Sequence, residues 1–286
     1  MKLSSTYVGI IFAILANFSF SILDTLQKTV VTYHSIFQIL LIKYFFVLFL
    51  SLFESYRKKN SGFYKTRNFK LQIIRSILSI CEAGCFVLSF KYLSLADTHS
   101  IAALAPAMVV ALSAIILREK VNLKIWLAIF VGFVGVLIIM RPGMTIFDPK
   151  SLIPLAAAFF LSFYQIVTKK VSQNDSTETS LFFTSIIAIF VMSFLAPFYW
   201  SPILTLSFLL FIGVGIFFSL GIYFQIIALS YTKASIIQPF HYTLILWAIL
   251  LGYLFYNDLP DLPTIIGASV IALSGIYVLN KTPASN

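Results

Sequence analysis

Few residues in this chain can do chemistry where they stand. Glu82 falls inside a long apolar run, and Arg75, Ser79 and Glu82 follow i, i+4, i+7 spacing. On a helix that spacing places all three on one face. An ionisable side chain inside an apolar helix is a functional candidate, because stranding it in hydrocarbon is costly. The polar stripe predicts a wet cavity beside it. There Glu82 would hold a cationic group or take up a proton. Lys43 stands in a neighbouring run at a similar depth. A purely structural Lys43–Glu82 pair is therefore the competing reading, and removing one member of a buried pair is costly either way.

Aromatic and amide side chains form a second set. Tyr242 and Trp247 follow Pro239; Tyr223 and Gln225 share one run, and Tyr164 and Gln165 another. Their rings offer stacking faces to a planar or cationic ligand. Most rings in so aromatic a chain simply pack or meet lipid. Asn17 joins the polar candidates. His241 titrates near neutrality and is a proton-transfer candidate. His99 is a weaker one, His34 reads as interfacial, and Asp24 reads as a solvated cap. Pro106 and Pro239 each remove a backbone hydrogen bond, and act as hinges or as static kinks. Cys81 and Cys85 stand at i, i+4 in one apolar run and read as small fillers, not as a disulfide or metal site. No H-E-x-x-H, G-x-S-x-G or P-loop pattern occurs. The residues thus imply no catalytic site, no metal, no cofactor and no direct use of ATP.

These residues need elements to hold them. The chain has 286 residues, 60% hydrophobic and only 10% charged, with a mean hydropathy of +0.97. Soluble domains carry about 25% charged residues, so an ordinary soluble enzyme is excluded, and disorder with it. The +10 net charge crowds into short gaps between apolar runs, which argues topology and not nucleic acid. The run of Lys and Arg after Glu54 is such a topological anchor. Helices of about 20 apolar residues cross a bilayer. Spans are expected at 5–25, 34–53, 70–90, 97–117, 123–140, 151–170, 180–199, 203–229, 234–255 and 263–280. With the first terminus cytoplasmic, the inner segments hold Lys2, Arg57, Lys58, Lys59, Lys65, Arg67, Lys70, Arg118, Lys120, Lys124, Lys169, Lys170, Lys233 and Lys281. The outer segments hold only Lys28, Lys91, Arg141 and Lys150. This bias predicts both termini in the cytoplasm. Glu82 then lies eight residues from the outer end of its span, at a depth of roughly 12 Å. The first run is too long for a cleavable signal peptide and lacks a suitable cleavage site.

The chain also repeats itself. Ala96–Met140 and Thr232–Leu279 each read as small residues with an internal proline, an acidic turn (Glu119 or Asp258), and a helix carrying glycines (Gly132 and Gly135, or Gly267 and Gly275). Those glycines are expected to permit close helix contact. Five spans per half is an odd number, so the second half enters from the opposite side, as in many secondary transporters. The "LREKV" turn, the following "GFVGVLIIMRPG", and "QPFHYTLILWAILLGYLFYNDLPDLPTIIGASVIALSGIYVL" resemble the drug/metabolite transporter superfamily of EamA type. The resemblance covers essentially the whole chain. Within that superfamily the second half resembles the bacterial branch of S-adenosylmethionine and riboflavin-type uptake carriers. One departure is Asn257-Asp258 where a Glu is usual. The resemblance implies an all-α membrane protein of ten helices in two inverted five-helix repeats, 5–141 and 150–281. It also places Tyr242 and Trp247 on a central cavity. The expected function is secondary transport of a small polar metabolite across the bacterial inner membrane by alternating access. With Glu82 facing the cavity unpaired, the metabolite would be cationic, S-adenosylmethionine-like or amino-acid-like; with Lys43 neutralising Glu82, it would be neutral or zwitterionic. The site residues would be Glu82, Tyr242, Trp247, Lys43, Asn17, Gln165, Tyr223, Gln225 and His241, with hinges at Pro106 and Pro239. The expected partners are that solute, the lipid bilayer and a coupling proton or counter-transported solute, with no nucleic acid, in a monomer or homodimer. The rival readings are an exporter of amino acids or toxic compounds and a membrane-embedded lipid-modifying enzyme.

Overall fold

A computed structural model of the chain describes residues 5–93, 95–140, 149–203, 205–256 and 262–281. Every regular element among them is helical. In hydrocarbon each backbone N–H and C=O needs a partner, and a helix supplies it locally. The helices are α1 (Ser5–Val30), α2 (Ile36–Arg57), α3 (Phe69–Tyr92), α4 (Leu95–Ala102), α5 (Ala105–Ile116), α6 (Leu123–Met140), α7 (Leu152–Val171), α8 (Thr177–Leu195), α9 (Thr205–Tyr231), α10 (Ala234–His241), α11 (Thr243–Tyr256) and α12 (Leu262–Lys281). Ser35 and Ser176 start α2 and α8, each hydroxyl accepting from a backbone N–H three residues on at 3.2 Å. Among the described residues, seven helical segments are long and apolar enough to cross a membrane. Three shorter apolar helices accompany them: Ala105–Ile116, Leu123–Ile138 and Leu262–Tyr277.

The structure departs from the expected spans in two places. The segment expected at 97–117 is two helices, α4 and α5, interrupted at Ala103 and Leu104. The segment expected at 234–255 is likewise α10 and α11, interrupted at Tyr242. The leading piece has 8 residues in both cases. Pro106 therefore falls in the first turn of α5, where a missing N–H goes unnoticed. Pro239 stays inside α10. The first span is also longer than expected, with α1 continuing to Val30. Lys2, Arg141, Pro142, Gly143, Asn257 and Asp258 lie outside the described residues.

Helix pairing brings distant parts of the chain together. Along α1 and α9, Gly9 meets Ala228, Phe20 meets Gly221 and Leu26 meets Gly213, so the two run antiparallel. α3 packs on α7, α2 on α8, and α6 on α12. Ser51 Oγ donates to the Glu178 carbonyl at 2.9 Å, and Gln38 Nε2 to that of Ser201 at 2.9 Å. Small residues let backbones approach. A Cβ on Gly135 would stand 2.9 Å from the Gly267 carbonyl oxygen, and one on Gly132 would stand 2.5 Å from the Tyr242 ring. Gly275 is different, since a Cβ there would make ordinary contact with Phe240 at 3.6 Å. The largest apolar core gathers Leu23, Ile39, Tyr44, Val47, Val87, Leu181 and Phe218 from α1, α2, α3, α8 and α9. Large apolar side chains also point outward, among them Phe49 and Phe198, as a lipid-facing surface requires.

Candidate functional site

The two helix interruptions face each other. Tyr242, at one, directs its hydroxyl to the Ala103 carbonyl at the other, 3.3 Å away, with the Ile129 carbonyl at 3.4 Å. Asn17 on α1 braces the same place, donating from Nδ2 to the Phe240 carbonyl at 2.8 Å and to Thr243 Oγ1 at 3.2 Å. Backbone groups freed by a broken helix must be satisfied this way inside a membrane. Beside the interruptions lies a cavity of about 930 Å³, open solvent included. Its walls are largely apolar, with Phe20, Leu23, Phe86, Phe218, Ile222 and Ile245 among them. Into it come Asp24, Gln27, Lys43, Ser79, Glu82, His99, Tyr164, Gln165, Gln225, His241 and Tyr242. An apolar cleft with a few convergent polar groups is the usual form of a small-molecule site.

The charged groups are not paired as simple neutralisation would pair them. Lys43 is 1% exposed. Its Nζ donates to Gln27 Oε1 at 2.7 Å and stands 4.1 Å from the centre of the Phe218 ring. The ammonium is thus held by an amide dipole and a ring face. No ion pair within 4.0 Å joins Lys43 to Glu82. Among the described residues the Glu82 carboxylate has no hydrogen bond or ion pair at all, and it lines the cavity. Asp24 Oδ2 lies 3.3 Å from His99 Nε2, with both side chains mostly enclosed. Gln165 accepts from Gln238 Nε2 at 2.8 Å.

Of the residues singled out in the sequence, Glu82, Lys43, Tyr242, Gln165, Gln225 and His241 meet in this cavity. Asn17 stands behind it at the interruption. Trp247 packs edge-on to Phe18, ring centres 5.0 Å apart, away from the lining. Tyr223 points to the end where α1 begins and donates to Glu54 Oε2 at 3.0 Å. The Arg75–Ser79–Glu82 stripe divides. Ser79 and Glu82 reach the cavity, while Arg75 turns to α8 and donates to the Ser180 carbonyl and Thr184 Oγ1. His34 packs on Phe211. Asp24 is a correction: it lines the cavity instead of capping a helix in solvent. A span ending at residue 25 would leave Asp24 at a helix tip, whereas Asp24 and Gln27 lie one turn apart on a helix that runs to Val30. Among the described residues no group of His, Cys, Asp or Glu gathers as a metal site.

A largely apolar cavity with convergent polar groups, beside two broken helices in a multi-pass apolar bundle, is the setting of a transporter site. A model of the EamA-like transporter family matches residues 7–141 and 151–281. The chain belongs to the EamA-like transporter family. It is therefore a multi-pass membrane protein with a small-molecule substrate, and not an enzyme. A riboflavin transporter of Vibrio cholerae is 28% identical, covering 75% of this chain and 72% of its own. An S-adenosylmethionine uptake transporter of Rickettsia bellii is 26% identical, covering 95% and 93%. A pseudopaline exporter of Pseudomonas aeruginosa is 24% identical, covering 96% of each chain. A crystal structure covering 96% of this transporter and 95% of its own chain superposes with a TM-score of 0.80 at 14% identity, a likeness of fold.

Proposed function

We propose that this transporter is a secondary active carrier of the bacterial inner membrane. It moves a small cationic metabolite, S-adenosylmethionine-like or amino-acid-like, by alternating access. Ten spans would form two inverted halves, 5–141 and 150–281, with both termini cytoplasmic. The pairing of helices supports two related halves. Exchanging the halves turns the α1–α9 pair into α7–α3, α2–α9 into α8–α3, and α5–α7 into α11–α1, all of which occur. The pairs α2–α8 and α6–α12 map onto themselves. A lysine near the end of the first helix of each half serves the third span of that half. Lys28 Nζ donates to the Phe90 and Leu93 carbonyls at 2.6 and 2.7 Å. Lys169 Nζ donates to those of Leu229 and Thr232 at 2.8 and 2.6 Å. The 8-residue α4 and α10 lead corresponding spans. Movement of a proton or a second solute would drive the cycle.

The observation that carries the cationic reading is Glu82, a carboxylate with no partner in the cavity while Lys43 is engaged by Gln27 and Phe218. An unpaired carboxylate in so apolar a place is stabilised by a ligand that brings positive charge. The rival, a Glu82 that serves Lys43, is tested with S-adenosylmethionine binding to folded protein. Glu82→Gln is expected to weaken binding by about 10-fold or more, as loss of a charged hydrogen bond does. Adding Lys43→Met is expected to leave it weak. If the double change restores binding, the cationic role of Glu82 fails. Counterflow of labelled solute in proteoliposomes checks the carrier activity itself.

A further inference from the structure

Lys43 has three protons to give, and one goes to Gln27 Oε1 at 2.7 Å. Because an ammonium can only donate, Gln27 must turn its carbonyl oxygen to Lys43. Its amide nitrogen, which has no hydrogen-bond partner among the described residues, is then the end left to donate, and Gln27 lines the cavity. The lysine ammonium and the glutamine amide thus make two adjacent donors in one wall. Glu82, an acceptor with no donor, lines the same cavity without touching Lys43. We infer that this gap is the seat of an α-amino-acid head group, with its carboxylate on Lys43 and Gln27 and its ammonium on Glu82.

The inference rests on the cationic reading of Glu82 and narrows it to a substrate class. A site for a bare cation gains nothing from a lysine in its wall, since like charge repels the ligand. A ligand that brings its own carboxylate turns that repulsion into a charge-assisted contact. Asp24 adds a second carboxylate to the cavity, 3.3 Å from His99. Two carboxylates against one lysine ammonium favour a ligand with two positive groups and one negative. With a neutral amino acid, Asp24 keeps only the His99 Nε2 contact at 3.3 Å and gains no charge from the ligand. A diamine leaves Lys43 and Gln27 facing an empty contact. The matching class is the amino acid with a cationic side chain, whether sulfonium, guanidinium or amine.

The test compares ligands that differ by the carboxylate alone. Purified full-length protein is titrated calorimetrically with S-adenosylmethionine and its decarboxylated form, and with arginine and agmatine. In at least one pair the amino acid is expected to bind 10-fold or more tightly than its decarboxylated partner. Lys43→Met is expected to erase the difference by weakening only the amino acid, and Gln27→Leu to reduce it in the same direction. The unmodified protein suffices should Lys43→Met not fold. If its decarboxylated ligands bind as well as the amino acids, the head-group seat is refuted while the cationic reading stands. If no cation of either pair binds, both readings fall.

Discussion

Arg75 is a cation wholly enclosed by protein, and its surroundings are polar without a direct counter-ion. Its guanidinium donates to Gln72 Oε1 at 3.2 Å, to the Ser180 carbonyl and to Thr184 Oγ1, with the Tyr164 ring 5.8 Å away. This is a rigid fork with several donors, tying α3 to α8, and lysine cannot reproduce it. Arg75→Met should cost about 1–3 kcal/mol through unpaired acceptors. The check is a lowered melting temperature with unchanged ligand affinity per folded molecule. Lost affinity at an unchanged melting temperature would make Arg75 a binding residue instead. Glu82 lies on the same helical face, so spacing alone makes the two look alike. They differ in depth. Seven residues are roughly 10 Å along a helix axis, and the cavity includes Ser79 and Glu82 but not Arg75. Periodicity reports which way a side chain points around the axis. It carries no information on what stands opposite at each level.

At the scale of the element, the interrupted helices matter most. Asn17, Tyr242 and Ala103 join α1 to both interruptions. Asn17→Leu should therefore strand the freed backbone near Phe240, costing about 1–3 kcal/mol, and loosen the cavity wall. Melting temperature and ligand affinity should fall together. Close packing of α6 on α12 gives a second expectation. Gly135→Leu pushes a side chain into the Gly267 carbonyl, 2.9 Å from where its Cβ would stand, and should destabilise by about 1–3 kcal/mol as overpacking does. Gly275→Ala has room and should be nearly neutral in the same melting assay. The prolines indicated that the two spans depart from regular helix, but not where. Pro106 follows its interruption and Pro239 precedes its own. The position is set by which neighbouring side chains can take up the loose backbone groups, and those belong to helices far away in the chain.

For the whole molecule, the lysine pair gives the sharpest expectation. If the halves are inverted copies, Lys28 and Lys169 do the same work at opposite faces of the membrane. Lys28→Met and Lys169→Met should lower the melting temperature by similar amounts, since each leaves two carbonyls without a donor. Lys58→Cys, in a background where Cys81→Ser and Cys85→Ser remove the two native free thiols, should react with a membrane-impermeant thiol reagent only from the cytoplasmic side, and periplasmic labelling would overturn the orientation. Membrane class and most span positions were legible because they depend on local composition, which the bilayer reads residue by residue. The EamA relationship was legible for a similar reason, since the two acidic turns and glycine-bearing helices stand in plain order along the chain. Tertiary structure alone decided that Lys43 bonds Gln27 and not Glu82, that Asp24 belongs to the cavity, and that Tyr223 and Trp247 do not line it. Those outcomes depend on which side chains converge from α1, α2, α3, α4 and α9 at one depth. A long lysine with several acceptors in reach settles by competition among them, and only the packed arrangement sets the distances on which that competition turns.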